Sequence, residues 1–341
     1  MLGRGELRPP LLEAVTKCDR LVLLGDLIEF RHGRPRKALA AAEGVLAEIG
    51  SALGLGREAV IVPGNHDHQL VLPAFERRAR PTAPPLGLES AIDWQGEEPL
   101  AVVARALAPA EVNVFYPGMW LRPDVYATHG HFGDRHTTVP MFERLGAGLT
   151  ARAVREPPGG PRSPDDYEAA LDPIYAWIDA IARFDATEPG ADADGASARA
   201  WRAIAGRGRR GGVRGRAIAL GLPALIAALN RAGLGPLHTD LSAVELRRAG
   251  LRAFGESLSR LGVQAEHVIF GHTHRAGPLR SDELNEWRAP GGAALLNTGC
   301  WVHEPHFLGR SPGQSPYRSG FAAWVADDGP PELVNLLDGR R

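Results

Sequence analysis

The apolar positions of this chain fall into short runs, several of which close on residues that can bind metal. Leu21 to Leu24 runs into Gly25-Asp26, and Ala59 to Val62 into Pro63-Gly64-Asn65-His66-Asp67. Val125 to Thr128 runs into His129-Gly130-His131, and His267 to Phe270 into Gly271-His272-Thr273-His274. Short apolar runs bounded by turn formers predict buried strands. Further strands are expected over Ala293 to Asn297, Phe321 to Val325 and Glu332 to Leu337. Helical spacing marks a segment that opens at Pro9 and Pro10 and carries Leu11, Leu12 and Val15, then an alanine- and leucine-rich one from Arg36 to Ile49. Strands alternating with helices predict the α/β class.

The stretch from Arg80 to Pro99 is proline-rich and irregular. From about Gly146 to Ser259 the strand signal gives way to alanine-rich helical patterns and breakers, which predicts a helical insertion within a single domain over 1–341. Within it Arg199, Arg202, Arg207, Arg209, Arg210, Arg214 and Arg216 cluster, with no acid between Asp194 and Asp240, and the apolar stretch Ala217 to Leu229 follows. One reading is a lid that makes peripheral contact with a membrane or a lipidic anion. The simpler one, a Gly/Arg loop before a core helix, is preferred.

Composition narrows the classes. The chain is 44% apolar and 23% charged, as in soluble globular proteins, and its net charge of -1 gives no overall attraction to nucleic acid. The N-terminus lacks the apolar core of a signal peptide, and no apolar run reaches membrane-spanning length. Cys18 and Cys300 are too few for a disulfide framework or a thiolate zinc site, which suits a reducing cytoplasm.

In an open α/β sheet the carboxyl ends of the strands share one crevice, so the four polar loops can meet there. Imidazole, carboxylate and amide oxygen without thiolate suit Mn²⁺, Zn²⁺ or Fe. A carboxylate can bridge two cations, and Asp26 is the candidate bridge. On extended backbone His272 and His274 would project the same way and serve one cluster. Glycine before Asp26, Asn65 and His272 permits turns and close approach that a Cβ would hinder.

Taken in order, GD, GNHD, HGH and GHTH resemble the calcineurin-like metallophosphoesterase family over about Leu21 to Trp301, and Asn297-Thr298-Gly299 is similar to family sequence as well. The resemblance implies a two-sheet β-sandwich flanked by helices, with two divalent ions (Mn, Zn or Fe). By matching motifs, Asp26 bridges the ions, Asn65, His129 and His272 hold one, and His274 helps to hold the other. His66 is then the catalytic histidine, oriented by Asp67. The implied reaction is hydrolysis of a phosphoester by a metal-activated water at a dinuclear centre, on a phosphorylated small molecule or nucleotide. His131, Arg135 and Arg275 are candidates for substrate contact, whereas His32, His68, His136, His238, His303 and His306 are read as incidental.

The family pattern also carries an earlier Asp-x-His motif at the end of its first strand, absent ahead of Asp26 in this chain, that serves the same ion as His274. The second site is therefore incomplete as written, and the alternative is a degenerate, non-catalytic scaffold of the same fold. Losing a central strand would cost roughly 1.5 to 3 kcal/mol per buried side chain, against a domain stability of about 5 to 15 kcal/mol. A longer natural chain is the expectation that follows.

Overall fold

The structure, a computed structural model, describes residues 7–30, 35–78, 83–138, 157–171, 175, 231, 243–302, 307–308 and 311–338. The chain divides into two compact units, one formed by Met1–Phe30, Pro35–His131 and Leu261–Arg341, the other by Arg31–Arg34 and Phe132–Arg260. The second unit covers the stretch expected to be an insertion and starts earlier, at Phe132 rather than about Gly146.

In the first unit, β1 (Arg20–Leu24) and β2 (Glu58–Val62) pair in parallel, as the apolar runs predict. β2 is the most enclosed strand, with Ala59, Val60, Ile61 and Val62 all at 0% exposure, the mark of a strand covered on both faces. The sheet then depends on strands that the pattern does not announce. β3 (Glu89–Ala91) lies inside the proline-rich stretch and pairs with β4 (Glu111–Arg122), whose centre carries Pro117-Gly118, residues that weaken a strand signal. β5 (Val125–Thr128), β6 (His267–Phe270) and β7 (Ala294–Asn297) fall where they are predicted.

Sheet order is β1-β2-β4-β5-β6-β7, with β3 on β4. β4 joins two directions. Its first residues run parallel to β2, from Glu111 beside Glu58 to Val114 beside Ile61. Its last run antiparallel to β5, from Gly118 beside Thr128 to Arg122 beside Val125. β6 and β7 continue parallel to β5. The product is a curled mixed sheet, a half-barrel, and not two sheets of comparable size. The second sheet is small, an antiparallel pair of β8 (Phe321–Trp324) and β9 (Glu332–Asn335). Ala323 and Leu333 of that pair pack on the core formed by Val60, Val62, Met119, Val125, Ala127, Ile269 and Leu296.

α1 (Arg8–Val15), with proline in its first turn, and α2 (Pro35–Leu53) match the helical spacing. α3 (Leu72–Arg78) and α4 (Pro99–Ala106) complete the helices described in this unit. α2 buries Leu46, Ile49 and Leu53, and α4 buries Leu100 and Val103. The two helices approach so closely that a Cβ on Gly50 would lie 2.1 Å from the Leu107 carbonyl oxygen. The second unit carries helix over 164–171 and in α5 (Ala243–Leu261). Phe132 stacks on Tyr167 at 4.6 Å, and His136 Nε2 shares a 2.6 Å hydrogen bond with the Tyr167 hydroxyl. The Arg199 to Arg216 cluster, the apolar stretch Ala217 to Leu229, and His32, His238, His303 and His306 lie outside the described residues. No described helix is long and apolar enough to cross a membrane.

One substitution should act with opposite sign at two points of α2. Gly44 is exposed with nothing within 4 Å of an added Cβ, so Gly44→Ala should raise stability by roughly 0.5 to 1 kcal/mol. Gly50→Ala should lower it by about 1 to 3 kcal/mol through overpacking against Leu107. Urea unfolding midpoints of the two variants measure both.

Candidate metal centre

The register of β4 brings the polar loops together. β2 leaves β4 at Val114 and β5 returns to it at Gly118, so the carboxyl ends of β2 and β5 open only a few residues apart. Parallel pairing of β6 with β5 then puts the end of β6 alongside. The backbone there is unusual. Asp26, His272 and His274 all have positive φ, at 52°, 62° and 60°. Left-handed non-glycine residues cost energy and persist only where their surroundings fix them. His272 and His274 therefore sit in a tight turn, closed by a 2.7 Å bond from Thr273 N–H to the Gly271 carbonyl, and not on the extended segment that His-x-His spacing suggests.

Glycine is required where these loops touch. A Cβ on Gly25, whose φ is +80°, would stand 2.0 Å from His129 Nδ1. One on Gly64 would stand 2.4 Å from Asp26 Oδ1 and 2.7 Å from His129 Nε2. Side-chain donors fill that space. His129 Nδ1 lies 3.1 Å from the Leu24 carbonyl, which can only accept, so Nδ1 carries the hydrogen and Nε2 holds the lone pair of the neutral ring. That Nε2 lies 3.3 Å from Asp26 Oδ2 and 3.3 Å from Asn65 Oδ1. Asn65 Oδ1 is also 3.2 Å from His272 Nδ1.

The donor atoms of Asp26, His129 and His272 lie within 4.8 Å of one another, a grouping that could hold a metal ion. Asn65 adds an amide oxygen. Acceptor atoms of His129, Asp26 and Asn65 thus face one another, with His272 Nδ1 beside them, and a proton or a cation would reconcile them. Mixed nitrogen and oxygen donors without thiolate are of the kind that suits a borderline divalent ion. The fit is good for one ion.

Electrostatics tell the same story. Burial alone would raise the Asp26 carboxyl, but the charges and hydrogen bonds of His129 and His66 hold it well below the usual carboxylate range. Burial opposes the charged form of His129, yet Asp26 beside it raises its pKa overall. Asp67 is pushed up to about 6 by burial and by the Asp26 charge, against the pull of N–H donors. His274 is pushed down to about 4, first by burial and then by the neighbouring histidines, which leaves it neutral and able to ligate.

The remaining candidates divide. His66 is half-buried beside the cluster, and its backbone N–H donates to Asp26 Oδ1 at 3.0 Å. The carboxylate on its ring is Glu29, which accepts from Nδ1 at 2.6 Å. Asp67 does not orient that ring. It is fully buried and accepts from the N–H groups of Leu27 at 2.7 Å and Gly64 at 2.6 Å, tying the Asp26 loop to the Asn65 loop. His274 falls outside the close grouping and meets the cluster through its charge interactions.

Two of the candidate substrate contacts are engaged elsewhere. His131 is 1% exposed, and its Nε2 lies 2.9 Å from the Tyr116 hydroxyl, so it backs the site from the core side. His68, read as incidental, belongs to the same buried wall, with its ring against Phe75 and Tyr116. Arg275 puts two nitrogens on Asp282 at 3.0 and 2.6 Å and lies over Trp287, as a buried ion pair. Arg135 falls in the second unit. Glu29 is the residue that motif reading passes over, and the signal was its place three residues after Asp26 on the same loop.

A second grouping that could hold an ion comprises Asp124, Glu266 and His267, at the starts of β5 and β6. Arg122 occupies both Asp124 oxygens, at 3.0 and 2.7 Å, which makes it the weaker of the two.

Gly64→Ala tests the close approach directly. The added methyl group should cost about 1 to 3 kcal/mol in urea unfolding. By parting Asp26 from His129 it should also weaken Mn²⁺ binding roughly tenfold in a calorimetric titration. No family model, no curated protein and no solved structure matches this chain.

Proposed function

We propose that this chain is a metal-dependent phosphoester hydrolase of the calcineurin-like kind, and that its curled sheet with the small β8–β9 pair is that family's sandwich. The observation that carries the reading is the convergence of Asp26, Asn65, His129 and His272 beside the half-exposed His66–Glu29 pair. Asp26, Asn65, His129 and His272 would hold one divalent ion, and His274 with Asp26 would contribute to a second. Bound there, such ions supply Lewis-acid polarisation of phosphoryl oxygens and lower the pKa of an attacking water.

The chain's own groups account for the rest. Glu29 accepts the Nδ1 proton of His66, which fixes the ring and its tautomer. Nε2 is then the atom through which a proton passes to the leaving oxygen, and an imidazolium there offsets charge that develops on the phosphoryl group. Asp67 has no part in proton transfer and instead holds the two loops in register. The substrate is a phosphorylated small molecule or nucleotide, since a net charge of -1 supplies no attraction for a long polyanion.

Hydrolysis of bis-p-nitrophenyl phosphate and p-nitrophenyl phosphate, with and without Mn²⁺, tests the reading. Turnover should require the metal, and Asp26→Ala should abolish it. A folded, metal-loaded chain with no turnover on either ester would favour a scaffold instead. Glu29→Gln should lower kcat roughly 100-fold while the Mn²⁺ affinity stays unchanged, because the ring it orients donates a proton and not a ligand atom.

A further inference from the structure

The turn that carries His272 and His274 needs an external hold. Two left-handed histidines within three residues are costly, and the turn's own 2.7 Å bond between Thr273 and Gly271 is too local to fix where the rings stand relative to β1, β2 and β5. Its ends are tied at Gly271, whose N–H donates to the His129 carbonyl at 3.0 Å, and at Ala276, whose N–H donates to the Pro316 carbonyl at 2.9 Å. A side chain from β7 reaches the middle.

That side chain is Asn297, the last residue of β7, 1% exposed. Its Nδ2 donates to the Gly271 carbonyl at 2.8 Å and to Thr273 Oγ1 at 2.9 Å. Its Oδ1 accepts from Gly299 N–H at 2.8 Å. The Asn297 backbone pairs with Gly277 beyond the turn, N–H to carbonyl at 2.8 Å and the reverse at 3.0 Å. One residue therefore grips the turn before His272, between the two histidines, and after His274. The pattern demands a planar group with two donors and one acceptor. An aspartate lacks the donors, and a leucine of similar size lacks all three.

We infer that Asn297 is a positioning residue for the metal centre, holding His272 and His274 in ligating geometry from outside the donor set. The inference rests on the metal reading above and extends it to a residue that touches neither ion nor substrate. Partners of this kind act through the orientation of the ligands, so the effect belongs in metal affinity.

The experiment is a Mn²⁺ titration by competition with a fluorescent chelator, on the unaltered chain and on His129→Ala, Asn297→Ala, Thr273→Val and Thr273→Ser, with urea unfolding of each metal-free protein alongside. Asn297→Ala should bind Mn²⁺ roughly 10- to 100-fold more weakly. Thr273→Val, which removes one exposed acceptor, should show a smaller loss that Thr273→Ser restores. Absence of His129-dependent binding in the unaltered chain would overturn the metal reading and this inference with it. Normal binding in the unaltered chain, with unchanged affinity in folded Asn297→Ala, would overturn the inference alone. If Asn297→Ala fails to fold, Thr273→Val decides, and undiminished affinity there overturns it.

Discussion

The double pairing of β4 is the constraint on which the first unit depends. A strand that runs parallel to β2 at one end and antiparallel to β5 at the other must turn between them, and only Phe115, Tyr116 and Pro117 separate the two registers. Proline offers no N–H to a ladder, and glycine beside it admits a close neighbour. A Cβ on Gly118 would lie 2.3 Å from the Tyr126 hydroxyl. Because the curl is so tight, strands of opposite sense deliver their carboxyl ends to one place. Tyr116, at the turn, is fully buried and bonds His131 behind His129. The element that shapes the sheet thus also backs the site.

Around that point the unit concentrates what a fold normally avoids: three left-handed side chains, a fully buried carboxylate in Asp67, and facing lone pairs. Hydrogen bonds from neighbouring strands and loops hold this arrangement. Leu24 fixes the His129 tautomer, Leu27 and Gly64 hold Asp67, and Asn297 grips the histidine turn. Such a network resists rearrangement because breaking any one tie strands a buried polar group. The charge that it concentrates is what a divalent cation would neutralise.

Motif spelling and geometry agree in bringing Asp26, Asn65, His129 and His272 together, leave His274 outside that close grouping, and part company on the helpers. Asp26, Asn65, His129 and His272 follow strands that the apolar runs reveal, so their convergence follows from topology. Helpers are chosen by direction, which sequence does not carry. Asp67 adjoins His66 yet turns toward two backbone N–H groups, while Glu29, distant in the chain, reaches the ring. Arg275 adjoins His274 yet is taken by Asp282. Neighbouring residues in a turn point apart, and a long side chain goes to the partner that burial makes most valuable.

By itself the sequence determined the α/β class, the apolar strands β1, β2 and β5 to β9 to within a few residues, the two helices α1 and α2, and the residue types that ring the site. Those are local properties, written in runs of apolar residues and in glycines that precede donors. Only the tertiary structure decided that β3, β4 and α4 exist where the chain reads as irregular or unmarked, and that the main sheet curls. It also decided that Glu29 and not Asp67 serves His66, and that His131 and Arg275 face inward. The physical reason is the same in each case: a strand broken by Pro117-Gly118 is stable only once β2, β3 and β5 pair with it, and a side chain's partner is fixed only when loops far apart in sequence are brought together.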